Sequence, residues 1–328
     1  MAQEAADLPR VFEEEVISSV SPLGLAMRRL IKRRIAMLSL LFILLFYGAG
    51  LSAPIITHYG LIPSYQTQDL NQSLQGPSWS HPFGTDRLGR DQLSRVIWAS
   101  QTTVIVTLAT LLTGSLVLAV ALGLLSGYLG GWVDTVIMRI GDTFASLPTI
   151  LMLILINATL KNQVRSLAVD FESFTGIHGI VKHGIPDYFL VFGALSLFGW
   201  VGGARVIRSQ ILSLRETEFI LAARSVGAST PRILFRHLLP NVANIIIVSV
   251  SLGLAGIAGS EIVLTWFGVG IQPPQASYGT LIFDASSVRT INVHPYLLAF
   301  PGAIVAGLLF SFNLLGDALT DVFTPKTR

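Results

Sequence analysis

Cysteine is absent from the 328 residues, which removes disulfides, zinc fingers, iron–sulfur clusters and thiol nucleophiles from consideration. Charge is scarce too. Asp, Glu, Lys and Arg make up 12% of the chain, against roughly 25% in soluble domains. The patterns of catalysis are also missing. There is no GxxxxGK[ST] phosphate loop, no GxSxG nucleophile elbow and no close carboxylate pair for hydrolysis. The histidines His58, His81, His178, His183, His237 and His294 show no HExxH or other metal spacing. Catalytic, cofactor-binding and metal-ligating sets are therefore expected to be empty. No basic tract interleaved with aromatics points to nucleic acid, and neither a repeat nor a low-complexity tract stands out.

Apolar residues are what the chain has in excess, at 52%. Six stretches reach the ~20 residues a spanning helix consumes, near 35–56, 102–127, 137–160, 188–206, 242–264 and 294–316. Gly199, Gly202 and Gly203 interrupt the fourth, and Pro301 and Gly302 the sixth; neighbouring helices make such breaks tolerable. The expected fold class is all-α, a polytopic membrane protein with six transmembrane helices. Residues 1–34 read as a polar tail, 35–56 as an uncleaved first span, and 57–101 as an extracytoplasmic segment. A five-span core over 102–316 follows, then a tail over 317–328.

Lysine and arginine set the orientation. With the N-terminus in the cytoplasm, 15 of the 22 basic residues face inward, from Arg10 and the Arg28–Arg34 cluster to Arg205, Arg208, Arg215, Arg224, Arg232, Arg236, Lys326 and Arg328. Arg87, Arg90, Arg95, Lys161, Arg165, Lys182 and Arg289 fall outside, as the positive-inside rule favours. Both termini and a loop over 207–241 are then cytoplasmic.

That loop contains EFILAARSVGASTPRILFRHLLP, Glu218 to Pro240. At 100° per residue, Phe219, Ala222, Ala223 and Val226 share one side, and Thr217, Glu218, Arg224 and Ser225 the other. Gly227 reads as a C′ stop, with Thr230 and Pro231 as N-cap and N1 of a second short helix. Small residues at helix-packing spacing, Ala255 with Gly259, Gly256 with Ser260, Gly302 with Ala306 and Ala303 with Gly307, predict close helix contacts.

Polar residues carry competing readings. Glu261 within the fifth span is costly in lipid and is read as a structural hydrogen-bonding group, a pathway-lining group or a proton-coupling group. Asp134, Asp142 and Asp317 lie at span ends, where local capping or pairing with Arg139 is expected. Asp86, Arg87, Arg90 and Asp91 read as a solvated, helix-starting network, or as a contact for an external protein.

The Glu218–Pro240 segment resembles the EAA loop of ABC importer permeases. There Glu-Ala-Ala is followed by three residues, Gly, nine more, then Ile-x-Leu-Pro; here Ala222, Ala223, Gly227, Leu239 and Pro240 keep the spacing. Leu221 replaces the Glu, which removes a pairing with Arg224 worth a few tenths of a kcal/mol. His237 replaces the Ile, in the FRHxLPN form of the dipeptide and oligopeptide branch. Four further segments resemble the second permease subunit of that branch: HPFGTDRLGRDQLSR from His81, GYLGGWVDTVIMRIGD from Gly127, LTWFGVGIQPPQASYG from Leu264 and FNLLGD from Phe312. Residues 161–187 look like an external insertion in the compact pattern.

The resemblance implies a type I ABC importer permease fold in a prokaryotic plasma (inner) membrane. Its implied partners are a homologous second permease, two ATP-binding subunits that hold ATP and Mg, and an extracytoplasmic substrate-binding protein. It implies that Glu218, Phe219, Leu221, Ala222, Ala223, Arg224, Val226, Gly227, Ala228, His237 and Pro240 form a coupling helix and its surroundings on the ATPase surface. Peptide is the expected cargo, with nickel chelates or oligosaccharides as alternatives. An ion-coupled secondary transporter, which would need carboxylates at the midplane, and a non-transporting scaffold are the rivals from other classes.

Overall fold

The computed structural model describes residues 22–323. Arg10, Lys326, Arg328 and most of the expected N-terminal tail lie outside the described residues. Pro22–Ile31 (α1) leads into Arg34–His58 (α2), whose 25 residues give about 38 Å of helix at 1.5 Å each. Ala36, Ser39, Ile43, Phe46, Gly50 and Ala53 form its buried stripe, alternating by three and four as one helix face requires. Leu38, Leu41, Leu44, Leu45, Leu51 and Ile55 stay exposed, a face suited to lipid.

The second apolar stretch is one long rod: Gln92–Thr110 (α3), a π-type turn at Leu111–Ser115 and Leu116–Leu129 (α4). It starts ten residues before the expected onset because Asp91 caps it, its carboxylate accepting from the Ser94 N–H at 2.7 Å. The third stretch departs further from expectation. Gly131–Ser146 (α5) and Thr149–Thr175 (α6) meet at an 86° bend. Pro148 supplies no N–H donor and forces Leu147 out of the helical region, to ψ 141°. Part of the segment 161–187, read as an external insertion, is helical. Residues 161–175 are the last turns of α6, since no helix breaker occurs before Gly176, the left-handed cap at φ 72°.

Ile185–Leu214 (α7) is followed by Glu218–Ser225 (α8) and Thr230–Arg232 (α9), a π-type turn at Ile233–Leu238, and Leu239–Trp266 (α10). Tyr278–Ala285 (α11) and Val288–Val293 (α12) precede Tyr296–Phe323 (α13), so part of the expected C-terminal tail is helical. Among the described residues five helical runs are long and apolar enough to cross a membrane, six if α5 and α6 make one broken span. Among the described residues no strand occurs beyond an isolated bridge between Thr85 and Asp91.

Glycine lets α4 and α7 pack closely. A Cβ at Gly123 would lie 2.8 Å from the Ile207 Cβ, and one at Gly127 2.7 Å from the Ile211 Cβ, so α4 and α7 touch only because both positions lack side chains. The packing pairs expected in α10 and α13 hold in part. A Cβ at Gly307 would meet the Phe42 ring at 2.7 Å, whereas Gly256 and Gly302 face open space.

Candidate functional site: the α8–α9 segment and the furrow above it

Ile220 anchors α8. It is fully buried in a cluster with Ile207, Ile211, Ile233, Leu234 and Leu238, and it is the one buried residue of its helix. Thr217 precedes the helix with extended backbone, its hydroxyl donating to the Leu214 carbonyl instead of capping. Glu218 in the first turn and Arg224 in the last both complement the helix dipole. The helix ends in a Schellman motif: Gly227 N–H donates to the Arg224 carbonyl at 2.9 Å and Ala228 N–H to the Ala223 carbonyl at 3.0 Å. Gly227 adopts φ 77°, the left-handed region that a side chain disfavours.

The second helix begins one residue earlier than expected. Ser229, not Thr230, is its N-cap residue. Nor is it a separate short helix, because the π-type turn carries it straight into α10. Pro240 explains the widening: its ring has no N–H for the Arg236 carbonyl, and it crowds that carbonyl in an ordinary α-turn. The result is a lever running from Thr230 to Trp266.

Anchoring through Ile220 leaves the flanks of α8 and its C-terminal end exposed. Phe219 and Leu221 are each 43% exposed, Phe235 64% and Val226 85%. Glu218, Ala222, Arg224, Gly227 and Pro240 are also exposed, while Ala223, Ala228 and His237 are half-buried. The predicted residues are thus brought to one end of the bundle. Reading the sequence missed Ile220, because one apolar residue between Phe219 and Leu221 does not declare which of the three points inward. It also missed Tyr128, over whose ring the Arg224 guanidinium lies at 4.9 Å.

Three polar ties fix this end. Arg208 grips Asp134 with Nε and Nη2, each at 2.5 Å, and Ser126 Oγ also donates to Asp134. Arg215 Nη1 donates to the Gly127 carbonyl at 3.2 Å. Arg205 pairs with Asp142 at 2.7 Å. Asp134 and Asp142 therefore pair with α7, correcting the expected partner Arg139.

Along α7 and α10 runs a furrow, two adjoining cavities of about 350 and 230 Å³ that share Ser115, Gly199, Gly253 and Ile257. Gly202 and Gly256 also line it, with open space where their side chains would be. Glu261 does not line it. Its side chain is fully enclosed, accepting from Thr103 Oγ1 at 3.0 Å and Thr265 Oγ1 at 3.2 Å. In this conformation Glu261 is a buried hydrogen-bonding group between α3 and α10.

At the opposite end two of the four residues expected to form a solvated network, Asp86 and Asp91, are buried, while Arg87 is exposed and Arg90 partly buried; Asp91 starts α3 as expected. Asp86, Asp91 and Arg95 are each about 5% exposed or less, with Arg95 Nη1 2.6 Å from Asp86. Charges this close satisfy each other, so the segment folds inward where single residues read as solvated.

Residues 119–328 match the family model described as binding-protein-dependent transport system inner membrane component, and residues 21–77 match the N-terminal TM domain of oligopeptide transport permease C. The oligopeptide transport system permease protein OppC of Mycobacterium tuberculosis (strain ATCC 25618 / H37Rv) is 34% identical over 306 residues, covering 93% of this chain and 94% of that one. The dipeptide transport system permease protein DppC of Alkalihalophilus pseudofirmus is 33% identical over 315 residues, covering 96% and 93%. OppC of Bacillus subtilis is 31% identical over 303 residues, covering 92% and 89%.

Proposed function

Because the chain belongs to the family of binding-protein-dependent transport system inner membrane components, we propose that it is a permease subunit of an ATP-driven peptide importer, driven through Glu218–Pro240. The observation that carries this reading is the exposed apolar surface of α8 and its C-cap, Phe219 with Val226 on one side and Leu221 on the other flank of Ile220, beside a lever continuous with α10. An exposed apolar patch at the end of a span favours a protein partner over water. A groove on an ATPase subunit would take this surface, with Ala222 and Ala223 allowing close approach.

The excess of Lys and Arg at the α8 end supports a cytoplasmic location, with both termini on the same side. Peptide as cargo rests on the relatives, which are named oligopeptide and dipeptide permeases. The furrow is compatible with that cargo: glycines open a wall that is otherwise largely aliphatic, with Leu111, Leu116, Ile207 and Ile246, and a second permease would close the groove. A binding protein outside would deliver the peptide. The chain contributes no ATP chemistry; partner ATPases would bind ATP and Mg.

The motion follows from the packing. ATPase closure would pull α8, Ile220 would transmit the pull to α7 and the Ile233–Leu238 turn, and α10 would tilt as a rigid body. This is a two-state element biased by a ligand held elsewhere.

The absence of cysteine makes the test clean. With Val226→Cys or Ala222→Cys in the full chain, co-expressed with its neighbouring genes, a short bifunctional reagent should join this subunit to an ATP-binding subunit, and ATP should change the yield. Cross-linking only to lipid-phase or external proteins overturns the assignment.

A further inference from the structure

Two adjoining cavities at the end of the bundle away from α8 share Lys182, Pro274 and Gln275. The larger, about 740 Å³, lies between the first turns of α3 and α7. Its lining changes with depth. Ser64, Gln66, Lys182 and His183 belong to the segments before the two helices, Trp98 and Tyr188 to their first two turns, and Ile105 and Phe192 to deeper ones. Ile105 stands thirteen residues past Gln92 and Phe192 seven past Ile185, about 20 and 10 Å along the respective helices.

The polar tips of this wall are spent on protein. Trp98 Nε1 donates to Thr57 Oγ1 at 3.0 Å, and the Tyr188 and Thr102 hydroxyls bond at 2.9 Å. The Tyr65 hydroxyl donates to Gln275 Oε1 at 2.9 Å and accepts from Gln66 Nε2 at 2.7 Å. The rings therefore have carbon left to offer, and with Ile105, Phe189 and Phe192 they suit hydrocarbon better than water. The smaller cavity, about 100 Å³, has the opposite character. Lys161, Arg165 and Lys182 line it against one carboxylate, Asp187. Lys161 Nζ stands 3.8 Å from Asp187 Oδ1, beyond hydrogen-bond reach, and neither Arg165 nor Lys182 has an ion-pair partner among the described residues. Glu172, which accepts from the Val181 N–H at 3.0 Å, does not line it. Positive charge is left over.

An excess of cations joined to a hydrocarbon wall fits a molecule with an anionic head and an apolar tail. The bilayer around the spans supplies one, and Trp and Tyr at the start of two spans mark the level where its headgroups lie. We propose that the two cavities bind one anionic phospholipid of the leaflet away from α8. Its phosphate sits among Lys161, Arg165 and Lys182, and one acyl chain runs between α3 and α7 along Ile105, Phe189 and Phe192. A free anion would use only the smaller cavity, and a neutral lipid only the larger. Bound there, the lipid ties α6 to α3 and α7. The site stands apart from the furrow, and it holds whether or not the chain is part of an importer, because lipid binding alone is read.

The test uses the full-length chain in detergent micelles, titrated with dioleoyl phosphatidylglycerol, dioleoyl phosphatidylcholine and inorganic phosphate, and read by native mass spectrometry and thermal unfolding. Phosphatidylglycerol should bind saturably and raise the unfolding temperature. Phosphatidylcholine, with the same chains, should bind about tenfold more weakly, and phosphate alone should not stabilise. Arg165→Gln combined with Lys182→Gln, both at exposed positions, should weaken phosphatidylglycerol binding about tenfold and leave the lipid-free unfolding temperature unchanged. A phosphatidylglycerol with a photoactivatable acyl chain locates the tail on the wild-type chain, and it decides alone if the double variant does not fold. Its adducts should fall on α3 and α7 around Ile105, Phe189 and Phe192. Equal binding of the two lipids, stabilisation by phosphate alone, an unaffected double variant, or adducts confined to other helices would each overturn the proposal.

Discussion

Arg208 on α7 closes a two-pronged ion pair on Asp134 of α5, 74 residues earlier in the chain, with both bonds at 2.5 Å. The pair is only partly exposed, and Ser126 of α4 donates to the same carboxylate, so three helices meet at one group. Asp134→Ala would leave the Arg208 charge half-buried and unpaired, a loss of about 1–3 kcal/mol. Thermal unfolding in detergent should show a clear drop. The exchanged pair, Asp134→Arg with Arg208→Asp, should recover part of it, and no recovery would mean that Ser126 and the surroundings dominate.

Gly227 offers a test of backbone rather than contact. Nothing lies within 4 Å of the position its Cβ would take, so a side chain would meet no clash, only the left-handed φ of 77°. Gly227→Val should cost about 1–2 kcal/mol locally and turn the end of α8 away. Insertion into the membrane should be normal, while uptake that depends on the ATPases is lost. Gly227→Asn, which tolerates the left-handed region, should keep most of it. Equal uptake by Gly227→Val and wild type would remove α8 from the coupling path.

These residues also mark how far the sequence could be read. Gly227 was legible because a glycine ending an amphipathic run has one common use, the left-handed cap. The spans were legible because lipid demands about 20 apolar residues whatever the tertiary packing. The 86° bend at Leu147–Pro148 lay inside a stretch read as one span on its apolar length. Ile220 and the buried Asp86–Arg95 pair were not legible. Whether an isolated apolar residue points inward, or whether charges pair with each other in the interior, is decided by residues far away in the chain.

Glycines with and without neighbours should separate packing from passage. At Gly127 a Cβ would stand 2.7 Å from the Ile211 Cβ, so Gly127→Val should force α4 from α7 and cost about 1–3 kcal/mol of overpacking. Gly256 lines the furrow with nothing within 4 Å. Gly256→Leu should leave the unfolding temperature within a few degrees of wild type but reduce uptake of bulky peptides more than of dialanine. If both variants lose stability alike, the furrow is a packing surface and not a passage.

Glu261 decides between energy sources. Two threonine hydroxyls, on Thr103 and Thr265, donate to its two carboxylate oxygens, and no residue of opposite charge is paired with it among the described residues. Glu261→Gln keeps one carbonyl acceptor and offers an NH₂ that a rotated threonine hydroxyl can accept, since a hydroxyl both donates and accepts. That variant should fold, and in a system driven by ATP its uptake should stay within about threefold of wild type, a change of well under 1 kcal/mol in transport free energy. Glu261→Leu removes the acceptor of both hydroxyls, although Thr265 Oγ1 still accepts from the Ile271 N–H, and should lose about 1–3 kcal/mol of stability for a buried hydroxyl left unpaired. A carboxylate that carries a coupling proton would behave otherwise: glutamine would abolish uptake while leaving the protein as stable as before, and uptake by the wild type would collapse with the proton gradient. Measuring stability and uptake on the same two variants, with and without a protonophore, therefore separates a hydrogen-bonded strut from an ion-coupling group.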